Sequence, residues 1–310
     1  MTVDPVILVT GASGFIGQRL CAAISQRGWV FDAVSRRSNV AGARNVHRTL
    51  DSARNDLAGV DVVVHLAGLA HGAVSTAAWE SVLLTNVQET ALTYAKAADA
   101  DVRLFIQLSS IRVLGDSTTC PWPTDAPLAP SDAYAESKAQ SETELSMLAQ
   151  GLGTQLAIVR PPIVYGPGVR ANFLRLLRYA QKGWPLPLLC ATAQGSWLAL
   201  DNLVDFLMHI CALDVLDSSI WHVRDVEETS LAEMLGLLRE LMGQPNRLWP
   251  VNARLALGLG RTLGLASTVD RLFLPQRIDV CGTHGGLDWQ PPLSQRDAVK
   301  ETVNWFRTQQ

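Results

Sequence analysis

Short uninterrupted apolar runs alternate along the chain with longer stretches in which apolar residues recur every three or four positions. Val6-Ile7-Leu8-Val9-Thr10 is β-branched and continuous, as a strand buried on both faces requires. Comparable runs fall at Val30–Val34, Asp61–Gly68, Val102–Leu108 and 154–159. Between them a helix is expected through about Arg27, and a long crossover helix from Trp79 to Ala98. This alternation predicts an α/β fold with a Rossmann-type, doubly wound parallel sheet. The prolines and glycines of Arg160 to Gly168 break the pattern and mark the edge of a first domain, 1–168. Helices are expected beyond it at Asn172–Lys182, Ser230–Met242 and Ser294–Phe306. Segments 169–197 and 224–310 are read as a smaller, mostly helical C-terminal domain. Leu198–Leu200, an Asp201–Leu213 helix and Ser219–Val223 are expected to return to the first domain.

Composition narrows the class. The chain has 310 residues, 48% apolar and 18% charged, which is globular. A formal net charge of −3 offers no basic field, so a nucleic-acid partner is not expected. The nine Trp are scattered, and Trp221, Trp249, Trp289 and Trp305 are read as core or cleft packing. The five Cys, at 21, 120, 190, 211 and 281, contain no Cys-x-x-Cys pair and suit reduced thiols in a cytoplasm. The N-terminus carries no basic-plus-apolar leader, which adds to that expectation. The apolar run Leu255 to Ala266 is broken by Arg261 and glycines and falls below the ~20 residues of a bilayer span. The six His are dispersed, so no metal site is expected.

Candidate chemistry begins after the first strand. Gly11-Ala12-Ser13-Gly14-Phe15-Ile16-Gly17 spaces three glycines three apart between a strand and a helix. Gly11 allows a tight turn, Gly14 a close approach to a pyrophosphate, and Gly17 helix–strand packing. Free N–H groups of the helix start, around Ser13, Phe15 and Ile16, add positive potential for phosphates. The domain 1–168 is therefore read as dinucleotide-binding, and the smaller one as substrate-binding. The second strand ends in Ser35-Arg36-Arg37, where an NAD-binding fold usually carries an acid for the ribose 2′-hydroxyl. Two arginines and no acid favour a 2′-phosphate, hence NADP(H), with NAD(H) the alternative. Leu66-Ala67-Gly68 ends the strand in small residues, Ala67 and Gly68, so a cofactor can lie across it. His65 is read as packing in the sheet, His71 as a loop residue with no required role, and Asn86 as holding sheet and site in register.

Tyr134 and Lys138 lie four residues apart on a helix that Ser131 or Asp132 is expected to cap, so they share one face. An ammonium one turn away is expected to lower the phenol from its usual value near ~10 toward neutral pH. Ser109-Ser110 ends the preceding strand, where a hydroxyl can donate to a substrate oxygen beside that phenol.

These pieces resemble the extended short-chain dehydrogenase/reductases, the group of sugar-nucleotide epimerases, dehydratases and ketoreductases. The matching segments are GASGFIG at 11–17, HLAG at 65–68, Asn86, SSIRVLG at 109–115, YAESK at 134–138 and RPPIVYGPG at 160–168. The resemblance implies that Tyr134 is the acid/base and that Lys138 holds the nicotinamide ribose. It implies that Ser110 hydrogen-bonds the reacting sugar oxygen, that Arg36 takes the 2′-phosphate, and that Pro161 and Ile163 border the cofactor. Asn172 resembles the family residue that touches the substrate diphosphate. Gln194-Gly195-Ser196 stands where relatives often carry a phosphate-binding arginine, and Arg271 is the candidate substitute.

The 4,6-dehydratases of this family place an Asp-Glu pair where this chain has Ile111 and Arg112, so dehydration is not expected. Two reactions then remain. A 4-ketoreductase spends NADPH on a keto-sugar nucleotide, whereas a 4-epimerase recycles bound NAD. Arg36 and Arg37 favour the reductase. The run 109–113 resembles a bacterial subgroup of UDP-sugar 4-ketoreductases and 4-epimerases that makes N-acetylated 6-deoxy sugars for surface polysaccharide. The expected substrate is thus a UDP-2-acetamido-4-keto-6-deoxyhexose, with UDP-glucose or UDP-GlcNAc epimerisation as the alternative. The resemblance also leaves a homodimer open. A non-catalytic NADP(H) sensor is the reading from another class, and it would not need both Tyr134 and Lys138.

Overall fold

The computed structural model describes residues 4–36, 39–69, 76–185, 193–217, 219–249, 276–280, 287 and 289–309. Arg37, His71, Arg271 and the run 255–266 lie outside them. The elements begin with β1 (Ile7–Thr10), α1 (Phe15–Gln26), β2 (Phe31–Val34), β3 (Val46–His47), α2 (Leu50–Arg54) and β4 (Val62–His65). Then come α3 (Thr76–Leu83), α4 (Glu89–Asp99), β5 (Leu104–Leu108), α5 (Ala133–Ala149), β6 (Gln155–Arg160), β7 (Ile163–Tyr165) and α6 (Ala171–Lys182). The chain continues through β8 (Gln194–Gly195), β9 (Trp197–Ala199), α7 (Leu200–Cys211), β10 (Ile220–His222), β11 (Thr229–Ser230), α8 (Leu231–Met242) and α9 (Gln295–Thr308).

Seven parallel strands form the main sheet in the order β10-β6-β5-β4-β1-β2-β3. The order reverses at β1, whose neighbours are β2 and β4, and that is where a doubly wound sheet opens a crevice at its carboxyl edge. Side-chain alternation explains the continuous apolar runs. Ile7, Val9, Val62, Val64, Leu104 and Ile106 face one layer, with Leu20 and Ile24 of α1 and Leu203 and Phe206 of α7. Leu8, Val63, Phe105 and Ile158 face the other, with Tyr94 of α4 and Leu145 of α5. Both faces are covered by helices, so the polar residues on these strands, Asp32 and His65 among them, take their partners from within the protein.

A further core joins Phe173 and Leu177 of α6, Met234, Leu235 and Leu238 of α8, and Val299, Val303 and Phe306 of α9. Both flanking helices start as their sequences predict. Ser230 and Glu233 make a reciprocal capping box on α8, and Ser294 caps α9. Trp221 and Trp289 are buried as expected, the latter edge-on to Phe206 at 5.0 Å. Trp249 is not: it is 62% exposed and lies outside the buried clusters, after the exposed Asn246 and Arg247.

The crossover helix also departs from its pattern. α3 and α4 are joined by a π-turn, Leu84–Gln88, rather than by one regular helix. One extra residue per turn rotates the register there, and Asn86 is fully buried as a result. The hydropathy pattern gives no element for β3 or α2, which are short and only partly apolar.

Candidate active site

The carboxyl ends of β1, β4, β5 and β6 carry the segments that matter. After β1, Gly11 turns the chain with φ +67°, and a Cβ there would lie 2.9 Å from the Leu66 carbonyl and the Ala67 nitrogen. A Cβ on Gly17 would lie 2.3 Å from the Gly11 oxygen, so α1 packs against the turn at a distance only glycine permits. α1 starts at Gly14 with no side-chain cap and no acid in its first turn. Its leading N–H groups and positive dipole end are left for an anion. A cleft lined by Ala12, Ser13, Gln18, Ser35 and Val40 runs beside the turn. The glycine cradle and this uncapped helix start fit a dinucleotide pyrophosphate.

At the end of β2, Arg36 is exposed and makes no ion pair among the described residues. The acid on that strand, Asp32, is buried and committed to Arg44 at 2.5 Å and to the Asn45 nitrogen at 3.0 Å. After β4, Gly68 lies under Asn86 Oδ1 and Lys138 Nζ, 3.1 and 3.4 Å from where its Cβ would sit. His65 is buried within the sheet.

Ser110 follows β5 and caps a 3₁₀ turn, Ile111–Leu114, accepting from the Arg112 nitrogen at 3.3 Å. The hydroxyl oxygen accepts there, which leaves the Ser110 proton to donate elsewhere. Asp132 caps α5 by accepting from the Ala135 nitrogen at 2.8 Å. Arg112 forms an ion pair with Asp132, tying the turn that carries Ser110 to the helix start that carries Tyr134. Lys138 donates to the Leu108 carbonyl at 2.9 Å, two residues before Ser110. Ser110 and Lys138 thus meet at one strand tip, and Tyr134 lies one helical turn before Lys138 on the same face of α5. Pro161 is buried beside it, with its carbonyl accepting from the Ile111 nitrogen at 3.1 Å. Ile163 is exposed. Asn172 is exposed at the start of α6 and accepts from Arg175.

The electrostatics differ from the expectation drawn from spacing. Burial pushes the Tyr134 phenol up to about 12; Arg112 is the cation that opposes the shift, and Asp132 adds to it. Lys138 is not among the charges that shift it, and burial pulls its own ammonium down to about 8. Without a bound ligand the phenol is therefore a proton donor at neutral pH. Arg112 and Asp132 are partners that sequence spacing did not reveal. Their positions two residues after Ser110 and two before Tyr134 are the only trace of them in the sequence.

A parallel sheet with a glycine-turn crevice, and a tyrosine–lysine helix at its edge, defines a dinucleotide-dependent α/β protein. Residues 7–219 match the NAD dependent epimerase/dehydratase family. The chain belongs to that family, an extended short-chain dehydrogenase/reductase group of NAD(P)-dependent enzymes. It is 32% identical to a UDP-glucose 4-epimerase of Vibrio cholerae, over 97% of this chain and 95% of that protein. It is 23% identical to a UDP-2-acetamido-2,6-beta-L-arabino-hexul-4-ose reductase of Pseudomonas aeruginosa, over 83% of this chain and 62% of that one. Its fold matches MoeE5, solved in complex with UDP-glucose and NAD, with a TM-score of 0.79, 24% identity and 99% of both chains covered. Among the described residues no helix is long and apolar enough to cross a membrane.

Proposed function

We propose that the protein transfers hydride at carbon 4 of a UDP-sugar, and that it reduces the 4-keto group of a UDP-2-acetamido-4-keto-6-deoxyhexose with NADPH. What supports this reading is the arrangement at the β5 tip: Ser110 accepts from the Arg112 nitrogen and keeps its proton to donate, Arg112 ties that turn to Asp132 at the start of the Tyr134 helix, and Lys138 donates to the Leu108 carbonyl at 2.9 Å. A protonated phenol suits an acid that meets an oxygen gaining negative charge. The nicotinamide, when bound, supplies the hydride. Tyr134 gives its proton to the substrate oxygen, and Ser110 donates a second hydrogen bond to it. Lys138 stays charged beside Leu108, where it can hold ribose hydroxyls and help reprotonate the phenol. Gly11, Ser13, Gly14, Phe15, Ile16 and Gly17 hold the pyrophosphate, with Leu66, Ala67, Gly68, Pro161 and Ile163 around the rest of the cofactor. Arg36, joined by Arg37, takes the 2′-phosphate. Asn172 and Arg271 contact the substrate diphosphate, within a substrate domain of 169–197 and 224–310. We further place the protein in the cytoplasm, as a homodimer.

The Vibrio relative favours a second reading, an NAD-dependent UDP-hexose 4-epimerase. One pair of assays separates the two. Stoichiometric loss of NADPH absorbance with a UDP-4-keto-6-deoxy sugar supports the reductase. UDP-glucose/UDP-galactose or UDP-GlcNAc/UDP-GalNAc interconversion with no net cofactor use overturns it in favour of the epimerase.

A further inference from the structure

Charge is spread unevenly along the chain. The formal net charge is −3, yet no Asp or Glu occurs between Glu144 and Asp201, nor between Glu240 and Asp270. Helix α6 lies in the first of these stretches. It buries Phe173, Leu177 and Ala180 and leaves Arg175, Arg178 and Lys182 exposed. Steps of three and four residues put those three cations on one solvent face. None of them is in an ion pair among the described residues. Like charges at that spacing repel, and α6 carries no acid to offset them.

The same face carries aromatic rings. Tyr179, one turn beyond Arg175, is 47% exposed. Trp184, just past the helix, is 56% exposed, with the Lys182 ammonium 4.3 Å from its ring centre. The end of α6 abuts the chain that leaves α8. A Cβ on Gly183 would lie 2.9 Å from Gln244 Oε1 and 3.6 Å from Pro245 Cδ, and Arg239 donates to the Trp184 carbonyl at 2.6 Å. Arg247 and Trp249, both exposed, follow on that stretch, and Glu240 before them is paired with Arg296. Among the described residues, Tyr179, Trp184 and Trp249 are the only exposed rings of Phe, Tyr or Trp. They gather where the unpaired cations gather.

The chemistry of the face selects its partner. A stable protein interface has an apolar centre with charges at its rim. The exposed residues of α6 include no Leu, Ile, Val, Met or Phe. A nucleic acid would meet a chain of negative net charge. Tyr and Trp set among Lys and Arg match a bilayer interface, where the rings sit at headgroup level and the cations meet lipid phosphates. We propose that this face docks the protein on the anionic headgroups of a lipid bilayer, lying on the surface without crossing it. The inference does not rest on the reaction given under Proposed function.

Co-sedimentation of the whole protein with two kinds of vesicle is the test, one of phosphatidylcholine alone and one an equal mixture of phosphatidylcholine and phosphatidylglycerol. Binding is expected to the mixed vesicles and not to the neutral ones, and it is expected to weaken as salt rises, because surface charges are screened. Arg178→Gln and Lys182→Gln are each expected to weaken it about fivefold at low salt, and the two together about 25-fold. Arg178→Lys, which keeps the charge, is expected to bind like the unaltered protein. Both side chains are exposed and unpaired, so the urea midpoint of the double variant is expected to stay in place. Trp184→Ala removes a ring and no charge, and is expected to weaken binding without changing its salt dependence. Equal binding to both vesicles, binding to neither, or undiminished binding by the double variant overturns the proposal. Binding of polyuridylate or polyglutamate, with the vesicles left free, also overturns it and reassigns the face to a nucleic acid or an acidic protein.

Discussion

The Asn86 side-chain amide donates to the Ser137 hydroxyl at 3.0 Å, joining the π-turn of the crossover helix to α5 one residue before Lys138. The same amide donates to the Leu69 carbonyl at 3.1 Å, and its oxygen accepts from the Leu69 nitrogen at 2.8 Å. Asn86 is fully buried, so these bonds replace water rather than compete with it. Asn86→Ala removes three bonds at once, each worth about 1 kcal/mol net. A total loss of about 2–4 kcal/mol is expected, read as a lower urea midpoint at unchanged m-value. A midpoint within error of wild type refutes the bridging role.

The phenol of Tyr134 is the second point of attack. Removing one donor to a developing oxyanion costs on the order of 2.7–4 kcal/mol of barrier. Tyr134→Phe keeps the ring and loses only the hydroxyl. Its turnover is expected to fall at least ~100-fold, with cofactor affinity by fluorescence titration unchanged. Near-wild-type turnover eliminates Tyr134 as the proton donor.

What is legible in the sequence follows from how local each requirement is. The strands at Ile7–Thr10 and Val62–Val64 read correctly because burial on both faces demands the same residue type at every position. The turn at Gly11 and the packing of Gly17 map a steric demand onto one residue type. The acidity of Tyr134 is not legible this way. Four-residue spacing places Lys138 beside it, but the outcome depends on how much water burial removes, and that is set by elements distant in sequence. Glu142 meets Arg160 across 18 residues, on a strand rather than a helix. The π-turn at Asn86 leaves no mark in hydropathy, because a single inserted residue shifts the phase without changing composition.

Arg36 is the proposed contact for a 2′-phosphate. It sits exposed at the end of β2, and the one acid on that strand, Asp32, is engaged by Arg44. A guanidinium there pairs with a 2′-phosphate and gains little from a 2′-hydroxyl. Arg36→Ala is expected to lower kcat/KM for NADPH by about tenfold or more while changing that for NADH by less than about twofold. If Arg36 pairs with a 2′-phosphate, the ratio of kcat/KM for NADPH to that for NADH is expected to fall as salt rises, since an exposed pair is screened. Equal losses for the two cofactors sink the assignment.

Hydrogen-bond accounting at His65 yields a pH prediction. The Thr10 hydroxyl oxygen accepts from the Leu66 and Ala67 nitrogens, each at 3.1 Å, so its own proton goes to His65 Nδ1 at 3.1 Å. The remaining imidazole proton then sits on Nε2 and meets the Thr90 hydroxyl at 3.1 Å. A neutral ring thus supports the turn that Gly11 packs against. Burial, reinforced by Lys138 and Arg54, pushes His65 down to about 3 from an ordinary 6.5. Between those values the unfolded chain binds a proton that the folded chain does not, so stability is present above pH 6.5 and is lost as pH falls toward 3. His65→Gln removes that proton from the unfolded state. The stability difference between wild type and His65→Gln, measured by urea unfolding, is therefore expected to shrink steadily from pH 7 toward 4.5. Parallel stability curves across that range show that His65 is not the neutral ring that holds the turn.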